Sequence, residues 1–329
     1  MTLMLFFTIL HPLVDACSVT VLVVGGMSWQ RVLAYNALAF ALQFPLGVVL
    51  DARPRWVKGT FVASLALTLA GVGLCACDGF VQAGTFGHAG RVTLPWAALV
   101  AACVGNALFH LSAGKAVLDE HEGKGGPIGL FISTGALGLF AGMKLAGGYG
   151  LWCCLGFGAA LAVTGAAAVL RINSDPSEAP LTFRSVRSVS GVSDKIGVGN
   201  GRRIGWLILF GLFVLVAWRS WAGLLAGGMT NAAGLGFALA GAAVTWAGKA
   251  AGGYLGDRFG RWIVTAVSVV GSLSLCFLCR PEQAVAWLVL LFVAQLATGP
   301  VLSLMHDKSG KASGTAFGLN CLALFTGSL

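Results

Sequence analysis

Gly47-Val-Val-Leu-Asp51-Ala-Arg-Pro-Arg55-Trp56 and Gly253-Tyr-Leu-Gly-Asp257-Arg-Phe-Gly-Arg261-Trp262 repeat a glycine, an aspartate, an arginine and a tryptophan at the same offsets. Each stretch lies between two long apolar runs, so the same short polar loop joins two apolar segments in both places. Recurrence in register reads as internal duplication.

The surroundings define the class. Hydrophobic residues make up 57% of the 329, charged residues only 10%, and the mean hydropathy is +0.86. No water-soluble core absorbs that much apolar surface, so the chain reads as an all-α polytopic membrane protein. Continuous apolar runs exclude alternating barrel strands, and helices satisfy every backbone group in lipid. Glycine, proline and charge predict eleven spans, at 3–25, 30–50, 56–77, 94–115, 127–146, 149–170, 205–227, 231–255, 262–279, 284–305 and 314–329. The first run lacks a basic leader and contains His11 and Asp15, so it reads as a retained helix rather than a cleaved signal.

Charge sets the expected orientation. With the N-terminus cytoplasmic, the inner loops hold Arg53, Arg55, Lys58, Lys115, Lys124, Arg171, Arg184, Arg187, Lys195, Arg202, Arg203, Arg258, Arg261, Lys308 and Lys311. The outer loops hold only Arg31, Arg91 and Arg280. The net charge of +9 is therefore positive-inside bias rather than a nucleic-acid surface, and places the chain in a cell membrane. Residues 173–203, rich in Ser, Gly and Arg, read as a cytoplasmic linker between an N-terminal six-helix bundle (1–172) and a C-terminal bundle (204–329). The repeat respects that division. Gly25-Gly26-Met27 matches Gly227-Gly228-Met229, and Gly129-Leu130 matches Gly318-Leu319, each shortly after a Gly-Lys pair, Gly123-Lys124 or Gly310-Lys311. By this logic a twelfth helix is expected but absent, the chain stopping at Leu329 inside an apolar run.

The loop Gly253 to Arg261 closely resembles the signature loop of the major facilitator superfamily, and Gly47 to Arg55 is a degenerate copy with Pro54 where the loop glycine is expected. The resemblance implies a two-bundle fold with inverted repeats and a secondary transporter working by alternating access. His11-Pro-Leu-Val-Asp15, Gln43-Phe-Pro-Leu-Gly47 and Gly105-Asn-Ala-Leu-Phe-His110 resemble the fosmidomycin-resistance-like branch, which implies efflux in exchange for protons. It also places His11, Asp15, Asn106 and His110 around one central cavity, since helices 1, 4, 7 and 10 line it in the superfamily.

Intramembrane polar groups are the candidate site. His11 and Asp15 are four apart on one helical face, and Asp15 lies about 18 Å into its span at 1.5 Å per residue. An ionisable group at that depth costs at least about 2.5–3.5 kcal/mol, so it marks an ion or substrate path. Asp15, tuned by His11 or His110, is expected to carry the coupling proton. A structural His–Asp hydrogen bond is the alternative. Arg219, flanked by Trp218 and near Trp221, has three open readings: it binds an anionic substrate, counter-charges Asp15, or snorkels to the headgroups. Ser133, Thr134, Asn36, Asn106, Gln295 and Asn320 are further substrate hydrogen-bond candidates, or else helix-packing groups.

The loop residues Gly47, Asp51, Arg55, Gly253, Asp257, Arg258, Gly260 and Arg261 are expected to form a gate, the aspartates pairing with arginines or helix N-terminal N–H groups. Lys249, at the repeat position of Gln43, is assigned to the same gate; snorkelling is its alternative, and the expected state of Lys144. The nine cysteines show no zinc-like spacing and no phosphate loop survives inspection, so no metal, cofactor or ATP drive is expected. The partners expected are a small-molecule substrate, protons and the bilayer, with the chain a monomer and not an enzyme. Two further classes stand behind this reading: a non-transporting sensor or scaffold keeping the fold, and a membrane enzyme built on His11, Asp15 and His110.

Overall fold

The computed structural model describes residues 3–83, 93–174, 200–280 and 282–329, and all their regular structure is helical. Helix α1 (Leu3–Val24) contains Pro12 and carries His11 and Asp15. Helix α2 (Trp29–Asn36) is capped by Ser28, whose Oγ accepts from Arg31 N at 3.3 Å. A π-turn (Ala37–Ala41) joins it to α3 (Gln43–Ala52). Helices α4 (Val57–Ala83), α5 (Thr93–Glu120), α6 (Gly125–Ser133) and α7 (Gly135–Ser174) complete the first half. The second half contains α8 (Asn200–Ala232), α9 (Leu235–Phe259), α10 (Arg261–Leu278), α11 (Ala284–Gln295), α12 (Thr298–Lys308) and α13 (Ser313–Gly327).

Among the described residues, eight helical runs are long and apolar enough to cross a membrane, fewer than the eleven expected. The difference has local causes. Gly125–Ser174 is one run of 50 residues, interrupted by the non-helical backbone of Tyr149 (φ −131°, ψ 33°). Leu235–Phe259 contains Lys249, Asp257 and Arg258 near its end, and Ser313–Gly327 has only 15 residues. The linker expectation falls outside the described residues for 175–199, as do Arg91, Arg184, Arg187, Lys195 and the side chains of Arg202 and Arg203.

Close packing between helices relies on small residues, because lipid supplies no hydrophobic drive for helices to associate. Along α7, Gly138 lies against the backbone of Pro12, and Gly142 against Ala16 and Val19, so α1 and α7 are nearly in backbone contact. One large apolar cluster, including Leu10, Phe61, Phe109 and Phe131, fills the first half, with Leu302, Phe317 and Cys321 joining it from the second. Two smaller clusters, around Leu212 and Met305 and around Trp287 and Leu290, fill the second half.

The two halves meet closely through α3 with α13 and α6 with α9. Here the motif glycines have their reason. A Cβ on Gly47 would collide with the backbone of Gly314, and one on Gly253 with the backbone of Gly125. The loops then turn differently. Gly260 takes φ +104°, a left-handed value that favours glycine, whereas Arg53 is at φ −134° and leads into a 3₁₀ turn, Pro54–Trp56. Proline at the glycine position therefore comes with a different turn rather than a missing one.

Replacing Gly138 with Ala is expected to cost about 1–3 kcal/mol of stability through overpacking against Pro12. Gly147→Ala, which meets only open space, serves as the control. The check is the thermal unfolding midpoint in detergent micelles: Gly138→Ala lowers it and Gly147→Ala leaves it unchanged.

Candidate functional site

A cavity of about 540 Å³ lies between the halves. It reaches from His11, Asp15 and His110 on one wall to Arg219, Lys249, Gln295 and Thr298 on the other. Away from the motif loops it continues to Met27, Lys144 and Asn231, residues at the opposite helix ends.

The first wall is built around Asp15, only 4% exposed. His11 Nε2 lies 3.2 Å from Asp15 Oδ2, and Asn106 Nδ2 donates to Oδ1 at 2.7 Å. His110 Nε2 also lies 3.2 Å from Oδ1, but out of line for a hydrogen bond. Nδ1 of His11 faces the carbonyl of Phe131 at 2.7 Å. A carbonyl only accepts, so Nδ1 must carry a hydrogen. The Nε2 lone pair would then face a carboxylate lone pair unless one more proton lies between them. The His11–Asp15 pair is thus a place where a proton can be held, as imidazolium with carboxylate or as imidazole with carboxylic acid. Gly135 keeps the space beside it clear, since a Cβ there would press on both side chains.

Arg219, 5% exposed, occupies the second wall. Its Nη1 donates to Gln295 Oε1 at 3.0 Å and to Thr298 Oγ1, and Thr298 Oγ1 itself donates to Gln295 Oε1 at 3.2 Å. Gln295 and Thr298 flank the break between α11 and α12. The Arg219 Nε is buried without a partner. Burial this deep removes the snorkelling alternative, and no ion pair joins Arg219 to Asp15 among the described residues.

At the motif end, each loop aspartate receives a helix start from the other half. Asp257 accepts from Gly125 N at 2.9 Å and Gly126 N at 2.7 Å, at the head of α6. Asp51 accepts from Gly314 N at 2.9 Å and Thr315 N at 2.7 Å, and from the Thr315 hydroxyl at 2.7 Å, at the head of α13. Bare N–H groups and the positive end of a helix dipole both favour a carboxylate there. Ser303 donates to the Gly123 carbonyl beside the α6 latch.

Several expectations are corrected by position. Lys249 is not in the gate but lines the cavity, eight residues before Asp257 and so about 12 Å up the helix. Its supposed counterpart Gln43 is fully buried, donating to Ala39 O at 2.5 Å. Arg55 and Arg258 are exposed and join neither latch; Arg258 lies over the Phe259 ring and Arg261 pairs with Asp307 at 2.5 Å. Trp218 and Trp221 face away from the cavity: Trp218 donates to Ser272 and Trp221 is exposed. Adjacent residues on a helix point about 100° apart, so the neighbours of Arg219 do not share its outlook. Ser133 bonds to the Leu130 carbonyl within its own helix, a packing role, and Asn106 stands behind Asp15 rather than on the cavity surface. Asn36 and Asn320 do line the cavity.

Sequence reading missed Lys115, which is buried between Asp51 at 2.7 Å and Asp119 at 3.2 Å, and Ser313, which donates to Asp119. The available signal was Lys115 and Asp119 four apart on one helix face.

No family model matches the chain, and no curated protein does. Solved structures match its fold. The E. coli fucose:proton symporter FucP aligns with a TM-score of 0.64 at 14% identity, over 99% of this chain and 88% of that one. A structure of FucP in the outward conformation, described as a major facilitator superfamily transporter, gives 0.65 at 15% identity over 98% and 89%. A bacterial homologue of the iron transporter ferroportin, outward-facing, gives 0.57 at 14% over 100% and 90%, and also has a structure with soaked iron. The chain has the major facilitator superfamily fold.

The Phe131 contact has a spectroscopic consequence. In ¹⁵N-histidine NMR of the protein in micelles, Nδ1 of His11 is expected to stay protonated between about pH 5 and 9, the range in which a free imidazole loses its charge. An Nε2–H tautomer at the upper end would contradict the geometry.

Proposed function

We propose that this chain is a secondary active transporter that moves a small molecule by alternating access, coupled to protons through His11, Asp15 and His110. The observation that carries the reading is the combination of a cavity flanked at one end by two reciprocal latches with a buried His11–Asp15 pair beside it. Ionisable groups inside a membrane are costly, and those that line a cavity mark an ion or substrate path. Rocking of the halves about the cavity exposes it to one side and then the other.

Positive-inside bias puts the latched end in the cytoplasm, so the conformation is outward-open. We read Gly125–Ser174 as two crossings at Tyr149 and count α9 and α13 as crossings, which gives the eleven expected from sequence. Residues 1–172 and 204–329 are then the two bundles. Export in exchange for protons is the direction implied by the resemblance of the His11, Gln43 and Gly105 segments to the fosmidomycin-resistance-like branch.

A second reading has one observation behind it. His11, Asp15 and His110 each offer a ligand atom, all within 4.8 Å of one another, a donor set that suits a divalent metal ion as cargo, as in the iron transporter relative. Arg219 and Lys249 on the facing wall would repel a dication, which puts protons first.

The test starts by comparing growth inhibition of cells with and without the protein to find a compound it handles. In proteoliposomes, that compound should drive proton movement with the native chain, and Asp15→Asn should reduce the coupled flux to background. Unaltered coupling in Asp15→Asn removes Asp15 from the mechanism, and flux driven by Mn²⁺ or Fe²⁺ instead selects the metal reading.

A further inference from the structure

The cavity wall is unbalanced in charge. Among its described lining residues are three basic side chains, Lys144, Arg219 and Lys249, and one carboxylate, Asp15. Asp15 is already met by His11, Asn106 and His110. Neither Arg219 nor Lys249 is in an ion pair with a carboxylate among the described residues. The protein has therefore desolvated a fixed cation, set a second one in the same wall, and left both without an anion.

Arg219 shows how such an anion would be held. Gln295 and Thr298 take only Nη1, which fixes the guanidinium plane, and Nε–H remains buried and unpartnered. An arginine in a purely structural role has its donors met by carbonyls or a carboxylate, whereas Arg219 keeps a donor without an acceptor and lines the cavity. A guanidinium is the group whose paired N–H donors match the two oxygens of a carboxylate.

We infer that the molecule this cavity binds is a small organic carboxylate, held through its carboxyl group at the Arg219 guanidinium with Lys249 supplying a second positive charge. The inference rests on the transporter reading only in taking this cavity as the substrate site. The volume of about 540 Å³ lies in the range of about 300–1,000 Å³ found for small-molecule sites.

The experiment uses acid and amide pairs as probes, succinate against succinamide and benzoate against benzamide, on the purified full chain in neutral detergent micelles. At least one acid is expected to raise the unfolding midpoint where its uncharged amide does not. Arg219→Gln should weaken that acid's apparent affinity about tenfold or more, the loss typical of a charge-assisted hydrogen bond, while Arg219→Lys keeps part of it. Should Arg219→Gln not remain monodisperse, Lys249→Gln in the half-buried part of the wall gives the same test, with a weakening in the same direction. Equal stabilisation by acid and amide, no response to any acid, or unchanged affinity in these variants overturns the inference. Counterflow in liposomes separates the two claims. Acid binding without counterflow leaves this inference standing and sinks the transporter reading, whereas counterflow of an uncharged compound does the reverse.

Discussion

Two carboxylates set on helix starts of the opposite half hold this molecule in its present shape. Asp51 on the head of α13 and Asp257 on the head of α6 make the same contact twice, related by the internal repeat. Each contact needs backbones in near touch, and Gly47 and Gly253 supply that approach. The free N–H groups of a helix start are satisfied by the aspartate while the latch is closed and by water once it parts. A bistable closure of this kind leaves the cavity open toward Met27 and Asn231 and shut toward the loops.

The latches are not equivalent, and the difference is chemical. Asp51 also receives Lys115, which is tied in turn to Asp119 and through it to Ser313 of α13. Among the described residues, Asp257 receives the two backbone N–H groups of α6, with Ser303 bracing the preceding loop. The half whose loop has lost its glycine to Pro54 thus carries the more heavily cross-linked latch. His11, Asp15 and His110 lie in that same half, on α1 and α5, while Arg219 and Lys249 sit on α8 and α9 of the other. In the proposed function, coupling proton and substrate charge are thus read on opposite walls of one space.

Much of this was legible in the sequence, for reasons that are specific. Apolar runs and the repeated loop identify helices, duplication and the facing glycines, because these depend on spacing along the chain. His11 and Asp15 meet because i and i+4 share a face; the same spacing puts Asn106 and His110 on one face of α5, and it was the family resemblance that turned that face toward Asp15. The latch partners were not legible, since Gly125 and Gly314 are ordinary backbone until another half brings a carboxylate to them. Lys249 was misplaced because repeat position fixes height along a helix less well than the packing of α9 against α6 and α11 does. Trp218 and Trp221 show that nearness in sequence to Arg219 says nothing about the face a residue occupies.

The central claim is that one cavity opens alternately at two ends, and that the carboxylate latches choose which. Spin labels at Arg53 and Lys311 report the latched end, and labels at Met27 and Asn231 the open end; both distances can be measured by pulsed electron resonance. With Asp51→Ala and Asp257→Ala combined, the distance at the latched end should lengthen while the distance at the open end shortens. Loss of the latches with no change at the open end, or with both ends loosening together, would contradict the account.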